Sequence, residues 1–227
     1  MARHWNLKEA SMSDTIDQNV ITRYRVMIFV DFWNFTLSMK SVEDHFRPDW
    51  KKLPNVIMKE AVEIIDATAI GVYTGMRVYG SFDGSGDAPL RKWVSTTLDT
   101  FPGVNVKFVD RQKKRTGPKC PSCYEIVEIC PKCGKDMRGT EEKGVDTAIA
   151  TDMISLAWEG AFDAAVLVSA DRDFIPVAEY LHTKGVKVIH AAFPPKGAQL
   201  SQKCWGSIDL PALRNSFRRP APVNPAS

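Results

Sequence analysis

The chain has 227 residues, 44% of them hydrophobic and 25% charged, a balance that suits a soluble folded domain and excludes disordered, collagen-like or disulfide-dense chains. Thirty Lys and Arg against 27 Asp and Glu leave a net charge of +3, too close to neutral to argue by itself for a polyanionic partner. The apolar run from Val26 to Val30 is far shorter than the roughly 20 residues of a membrane helix, so no membrane partner is expected.

Residues 1–23 mix His4, Lys8, Glu9, Asp14 and Asp17 with few apolar side chains, and read as an N-terminal extension rather than a secretory signal. A cytoplasmic location is expected. From there, strands rich in Val, Ile and Phe alternate with helix-length segments. A strand over 25–31 precedes helices over 34–40 and 55–67. A strand over 76–81, a helix over 88–100 and a strand over 104–110 follow. After a break come a helix over 145–158, a strand over 164–169, a helix over 174–183 and a strand over 186–190. Such alternation implies βαβ units. The expected fold is therefore a three-layer α/β/α domain over 24–216, with a mostly parallel five-stranded sheet of order 3-2-1-4-5. The tail over 217–227, with Pro220, Pro222 and Pro225, reads as flexible.

The break at 111–140 is an insertion of Lys, Arg, Gly, Pro and four cysteines. Cys120-Pro-Ser-Cys123 and Cys130-Pro-Lys-Cys133 have the spacing of two zinc knuckles, each offering two thiolates to one tetrahedral ion. A filled Cys₄ shell leaves no open position, so a structural Zn²⁺ is expected, with iron as the competing metal. Arg111, Lys113, Lys114, Arg115 and Lys119 precede the knuckles, and form a local basic excess suited to phosphate contacts or simply to solubility. Cys204 reads as a buried small hydrophobe. His4, His45, His182 and His190 make no ligand spacing.

Acidic residues collect where function gathers in parallel sheets, at the carboxyl ends of strands and where strand order reverses. Asp31 ends the first strand and opens the loop Asp31-Phe32-Trp33-Asn34. Asp171 and Asp173 follow the fourth strand, and Asp146 begins the helix that feeds it. Asp152 lies about 120° off the Asp146 face and roughly 9 Å further along, a supporting position at best. Carboxylates this close call for a divalent cation, and oxygen-only ligands favour Mg²⁺ or Mn²⁺. Each acid could instead cap a helix or bond loop amides.

Three segments carry a resemblance. They are Val26-Met27-Ile28-Phe29-Val30-Asp31 with Asn34, the stretch from Lys143-Gly144-Val145-Asp146 to Asp152 and Met153, and Val168-Ser169-Ala170-Asp171-Arg172-Asp173-Phe174. In this order they resemble the NYN domain family, and within it the LabA-like branch of the PIN-like nuclease superfamily, over about residues 24–193. A zinc-ribbon insertion ahead of the Lys-Gly-Val-Asp helix is familiar in that branch. The resemblance implies cleavage of RNA at a Mg²⁺ or Mn²⁺ site held by Asp31, Asp146 and Asp171, with Asp173 beside them. It also implies that Asn34 orients the first loop and that Asp152 is the family's recurrent helix acid. The chain departs from the pattern at Phe32 and Trp33, where small residues are usual, and at Ala170, where Gly is usual. The bulky pair could stack an unpaired base or fill the pocket.

The expected function is thus metal-dependent hydrolysis of phosphodiester bonds in single-stranded RNA. The alternative is a nucleic-acid-binding or adaptor module that keeps the fold without turnover. A homo-oligomer is compatible with either. A phosphoaspartyl phosphatase would want a second Asp at position 33, which is Trp.

Overall fold

The computed structural model of the chain describes residues 21–220, so most of the expected N-terminal extension and residues 221–227 lie outside the described residues. Alternation along β1 (Arg23–Asp31) sets the layers. Val26, Ile28 and Val30 enter one hydrophobic cluster and Met27 and Phe29 enter another, because successive strand side chains point to opposite faces. Both sets are buried, as expected of a central strand in a parallel sheet.

The first cluster is covered by α1 (Phe32–Val42) and α2 (Leu53–Ile65) through Phe35, Met39, Leu53, Ile57 and Ala61, with Trp93 of α3 (Ala88–Thr96) against it. The second is covered by Ile149 and Met153 of α4 (Val145–Trp158) and by Val177, Ala178 and Leu181 of α5 (Ile175–Thr183). Each of the larger of these buried side chains, the Val, Leu, Ile, Phe and Met, contributes about 1.5–3 kcal/mol. The result is the expected α/β/α sandwich.

The sheet is completed by β2 (Ile70–Phe82), β3 (Val104–Asp110), β6 (Ala164–Val168), β7 (Lys187–Ala192) and β8 (Gly206–Asp209), with the short β4 (Gln112–Lys113) and β5 (Thr140–Glu141) pairing apart from it. The order is β3-β2-β1-β6-β7-β8 and every ladder in it is parallel. Its first five members follow the predicted order, and the strand count is corrected from five to six. β8 contributes only Ile208 to the core, so its four residues carry no apolar pattern to read. Strand order reverses at β1, which has β2 on one side and β6 on the other.

Other boundaries also moved. Helix α1 starts at Phe32, directly from β1, because the Asp31 carboxylate accepts the Asn34 amide at 3.0 Å and caps the first turn. The expected loop at 31–34 is therefore a strand-to-helix junction. Phe217, placed by its sequence at the start of a flexible tail, is fully buried against Phe46 and Phe35. Arg218 beside it forms a two-pronged ion pair with Glu43. After β7, α6 (Ala198–Ser201) and then α7 (Leu210–Leu213) return the chain to the two core faces through Leu200 and Leu210.

Candidate active site

The reversal of strand order places the ends of β1 and β6 side by side, with Val30 in register with Val168. Asp31, the last residue of β1, and Ser169, just past the end of β6, come next. Asp31 is only 7% exposed. One carboxylate oxygen accepts the Asn34 amide and the other accepts the Ser169 hydroxyl at 3.2 Å. Asn34 in turn accepts the Ala170 amide at 3.0 Å, which ties the first turn of α1 to the exit of β6. The Asp171 amide donates to the Ser169 hydroxyl at 3.2 Å, and the Asp171 carboxylate accepts the Asp173 amide at 2.9 Å, capping a 3₁₀ turn over Arg172–Phe174.

The electrostatics bring further acids into this constellation. Burial pushes the Asp31 carboxyl up to about 6 against the pull of the Asn34 bond, and the charges of Asp146 and Glu142 push it the same way. Asp146, in the first turn of α4, is also held above the usual carboxylate range, by partial desolvation and then by Asp171, Glu142 and Asp173. Sequence reasoning brought Asp31, Asp146, Asp171 and Asp173 to this edge but missed Glu142. Its signal was its place, two residues ahead of the left-handed Gly144 that starts α4.

Glu142 anchors one flank. The Ser81 hydroxyl donates to its carboxylate and accepts from Arg111 Nε at 2.9 Å, while the Ser81 carbonyl accepts the Trp33 indole N–H at 2.7 Å. The Arg111 guanidinium lies 5.4 Å from the Trp33 ring centroid, within cation–π range. Phe32 is not part of this surface. It is buried, stacked with Trp50 at 5.9 Å and edge-on to Phe108, so it neither fills the crevice nor offers a face to solvent.

Asp152 has its own set of partners. Its carboxylate accepts the Tyr79 phenol at 2.6 Å and pairs with Lys107 and Arg77 at 2.6 and 3.1 Å. Among the basic residues, Lys113 pairs with Asp136 at 2.6 Å within the insertion, whereas Lys114, Arg115 and Lys119 are exposed.

Both cysteine pairs form matching turns. In each, the first sulfur accepts amide hydrogens from within its own turn, chiefly from Cys123 for Cys120 and from Cys133 for Cys130, which lowers the thiol pKa toward the metal-binding thiolate. Tyr124 and Gly134 occupy equivalent left-handed positions just after the turns. The insertion leaves Tyr124, Ile126, Ile129 and Met137 exposed and so has little core of its own. Among the described residues, no group of three or more His, Cys, Asp or Glu side chains is arranged to hold a metal ion. The four cysteines thus make two like turns, each with a sulfur of lowered pKa. The acids offer oxygen-only donors and repel one another, which suits a hard divalent cation.

No helix among the described residues is long and apolar enough to cross a membrane. A crystal structure of a protein of unknown function from Vibrio parahaemolyticus is similar in fold, with a TM-score of 0.57 and 17% identity over 86% of this chain and 96% of that one. No curated protein matches the chain. The model of the NYN domain matches residues 25–211, and with it the crevice at the reversal of strand order gains a family: the chain belongs to the NYN domain proteins, whose PIN-like fold is that of nucleases.

Proposed function

We propose that the protein is a metal-dependent ribonuclease acting on single-stranded RNA. One observation carries the reading. Acids from the ends of β1 and β6 and from the approach to α4 meet at the reversal of strand order, where burial and the neighbouring carboxylates raise the pKa of Asp31 and Asp146. Asp31, Asp146 and Asp171 would hold Mg²⁺ or Mn²⁺, with Asp173 and Glu142 beside them, and the ion would activate water and offset phosphate charge. Asn34 and Ser169 keep the Asp31 carboxylate in one orientation through their hydrogen bonds. Trp33 and Arg111 offer a stacking face and a cation to the substrate, and Lys114, Arg115 and Lys119 of the insertion add phosphate contacts. A structural Zn²⁺ would join the two cysteine turns into one ribbon. Its placement before the Lys-Gly-Val-Asp helix fits the LabA-like branch.

The test uses labelled single-stranded RNA and DNA of matched sequence, with and without added Mg²⁺ or Mn²⁺. RNA cleavage that needs the metal and disappears in Asp31→Asn and Asp171→Asn supports the ribonuclease. A second reading, a binding module without turnover, draws on the Trp33–Arg111 surface, which needs no metal to form. Metal-independent RNA binding by a protein that cleaves nothing would establish it.

A further inference from the structure

A cleft of about 620 Å³ opens on the side of the acids away from Trp33 and Arg111. Strand order fixes that relation. Trp33 and Arg111 bond to Ser81 at the end of β2, whereas the cleft is bounded by the exits of β6 and β7, with β1 between. Its walls share Asn34 and Asp171 with the acidic crevice, so a group seated in it abuts the acids.

The lining is mixed in the way a nucleotide requires. Leu37, 60% exposed, and Ala198 supply apolar surface, Gln199 supplies an amide, and Arg172 and Lys196 supply positive charge. Among the described residues neither cation pairs with a carboxylate, and Lys196 reaches only the Ser41 hydroxyl, at 3.4 Å. The volume lies within the roughly 300–1,000 Å³ common for small-molecule sites.

One wall is fastened to the acids. Gly197 has φ +78°, and a Cβ there would stand 2.8 Å from His190 Cε1 and 3.2 Å from the Ala170 Cα. His190 is fully buried, with Nε2 2.5 Å from the Ser169 carbonyl and Nδ1 2.7 Å from the Ser201 hydroxyl. A carbonyl only accepts, so Nε2 carries the hydrogen and Nδ1 accepts from Ser201. The imidazole thus joins the cleft wall to Ser169, whose hydroxyl holds Asp31.

We propose that this cleft is the pocket for the nucleotide next to the scissile phosphate on the β6–β7 side, its base against Leu37 and Ala198 and its phosphate met by Lys196 and Arg172. The proposal rests on the ribonuclease reading for its substrate. Trp33 with Arg111 then takes the strand on the other side, and the phosphodiester between the two lies over the acids.

The experiment titrates adenosine 5′-monophosphate, adenosine and inorganic phosphate into the full chain without added Mg²⁺ or Mn²⁺, following amide resonances. It is repeated with Lys196→Ala and Gln199→Ala, and RNA cleavage kinetics are measured in parallel. The monophosphate should shift the amides of Leu37, Gly197 and Ala198. Lys196→Ala should weaken it at least fivefold while sparing adenosine, and should raise KM for RNA more than it lowers kcat. Monophosphate shifts that avoid the cleft, or an unchanged affinity and KM in Lys196→Ala, overturn the pocket even where RNA is cleaved. Cleft shifts that obey the Lys196 dependence in a protein that cleaves no RNA uphold the pocket and overturn the ribonuclease.

Discussion

The phenol of Tyr79 donates to the carboxylate of Asp152 across 2.6 Å, and this bond ties α4 to β2 at the residue that pairs in register with Asp31 of β1. Burial would raise the Asp152 pKa, but hydrogen bonds from Lys107 and Tyr79 and the charge of Arg77 outweigh it and hold the carboxyl below its usual range. Its side chain is 14% exposed, so its charge is set into the protein against two cations. Asp152→Asn should therefore cost about 1–3 kcal/mol of stability. It should leave the rate of metal-dependent RNA cleavage within about twofold of wild type, roughly 0.4 kcal/mol of barrier. Denaturant unfolding and cleavage rates on the same preparations check both halves. A large loss of kcat with full stability would return Asp152 to the site.

The Asp31 carboxyl is shifted in the opposite direction, and this makes a pH prediction. Its carboxyl in the folded protein is pushed up to about 6, above the usual value near 4 of an unfolded chain. A raised carboxyl pKa means that the folded state holds the proton more tightly. The contribution is fully present below about pH 4 and is lost as pH rises through about 6, a change of about 3 kcal/mol. Asp146 is shifted in the same direction and adds to the trend. Without added divalent metal, Asp31→Asn should melt higher than wild type at pH 8 and alongside it at pH 4. Thermal melts across that range decide it.

The sequence shows much of this site because its parts lie at strand ends. The apolar runs of β1 and β6 end where Asp31 and Ser169 begin, so their chemistry could be placed on one edge before any contact was known. Glu142 and Arg111 were not legible as neighbours of that edge. They meet through Ser81, at the end of a strand whose first half, with Gly71, Thr74 and Gly75, hides its length. Phe32 and Trp33 show the same limit. Adjacent residues in the first turn of α1 face different surroundings, one the core and the other Arg111. Periodicity along the chain cannot assign such roles where strand passes into helix without a loop. The edge strand β8 and the docking of Phe217 were missed for a related reason, since both depend on distant partners rather than on local pattern.

The insertion should prove metal-dependent in its own folding. Its two cysteine turns hold thiols of lowered pKa, and its larger apolar side chains lie at the surface, so little besides a bound ion would hold it together. Elemental analysis should find about one zinc per chain, as a shared Cys₄ shell requires. Cys120→Ser or a strong chelator should broaden the amide signals of residues 118–138 and leave the main melting transition of the α/β domain in place. Retention of both the signals and the transition in a zinc-free protein would show that the two turns stand without a metal.

Glu142 offers the sharpest separation between a group that touches the metal and one that only positions others. Its carboxylate raises the pKa of both Asp31 and Asp146, and it accepts the hydroxyl of Ser81, which also holds Arg111. Glu142→Gln retains an oxygen that can accept from Ser81 but removes the charge, so the Arg111 contact is kept while the attraction for a cation falls. The expected result is at least a tenfold higher Mn²⁺ requirement for cleavage, about 1.4 kcal/mol of metal affinity, with little change in KM for RNA. Ser81→Ala has the complementary effect. It frees Arg111 from its hydroxyl partner and leaves the carboxylate charge in place, so KM should rise while the Mn²⁺ requirement changes little. Cleavage measured over a matrix of metal and RNA concentrations distinguishes the two. If Glu142→Gln instead reproduces the Ser81→Ala pattern, Glu142 acts only by holding Ser81, and the cation is left to Asp31, Asp146 and Asp171.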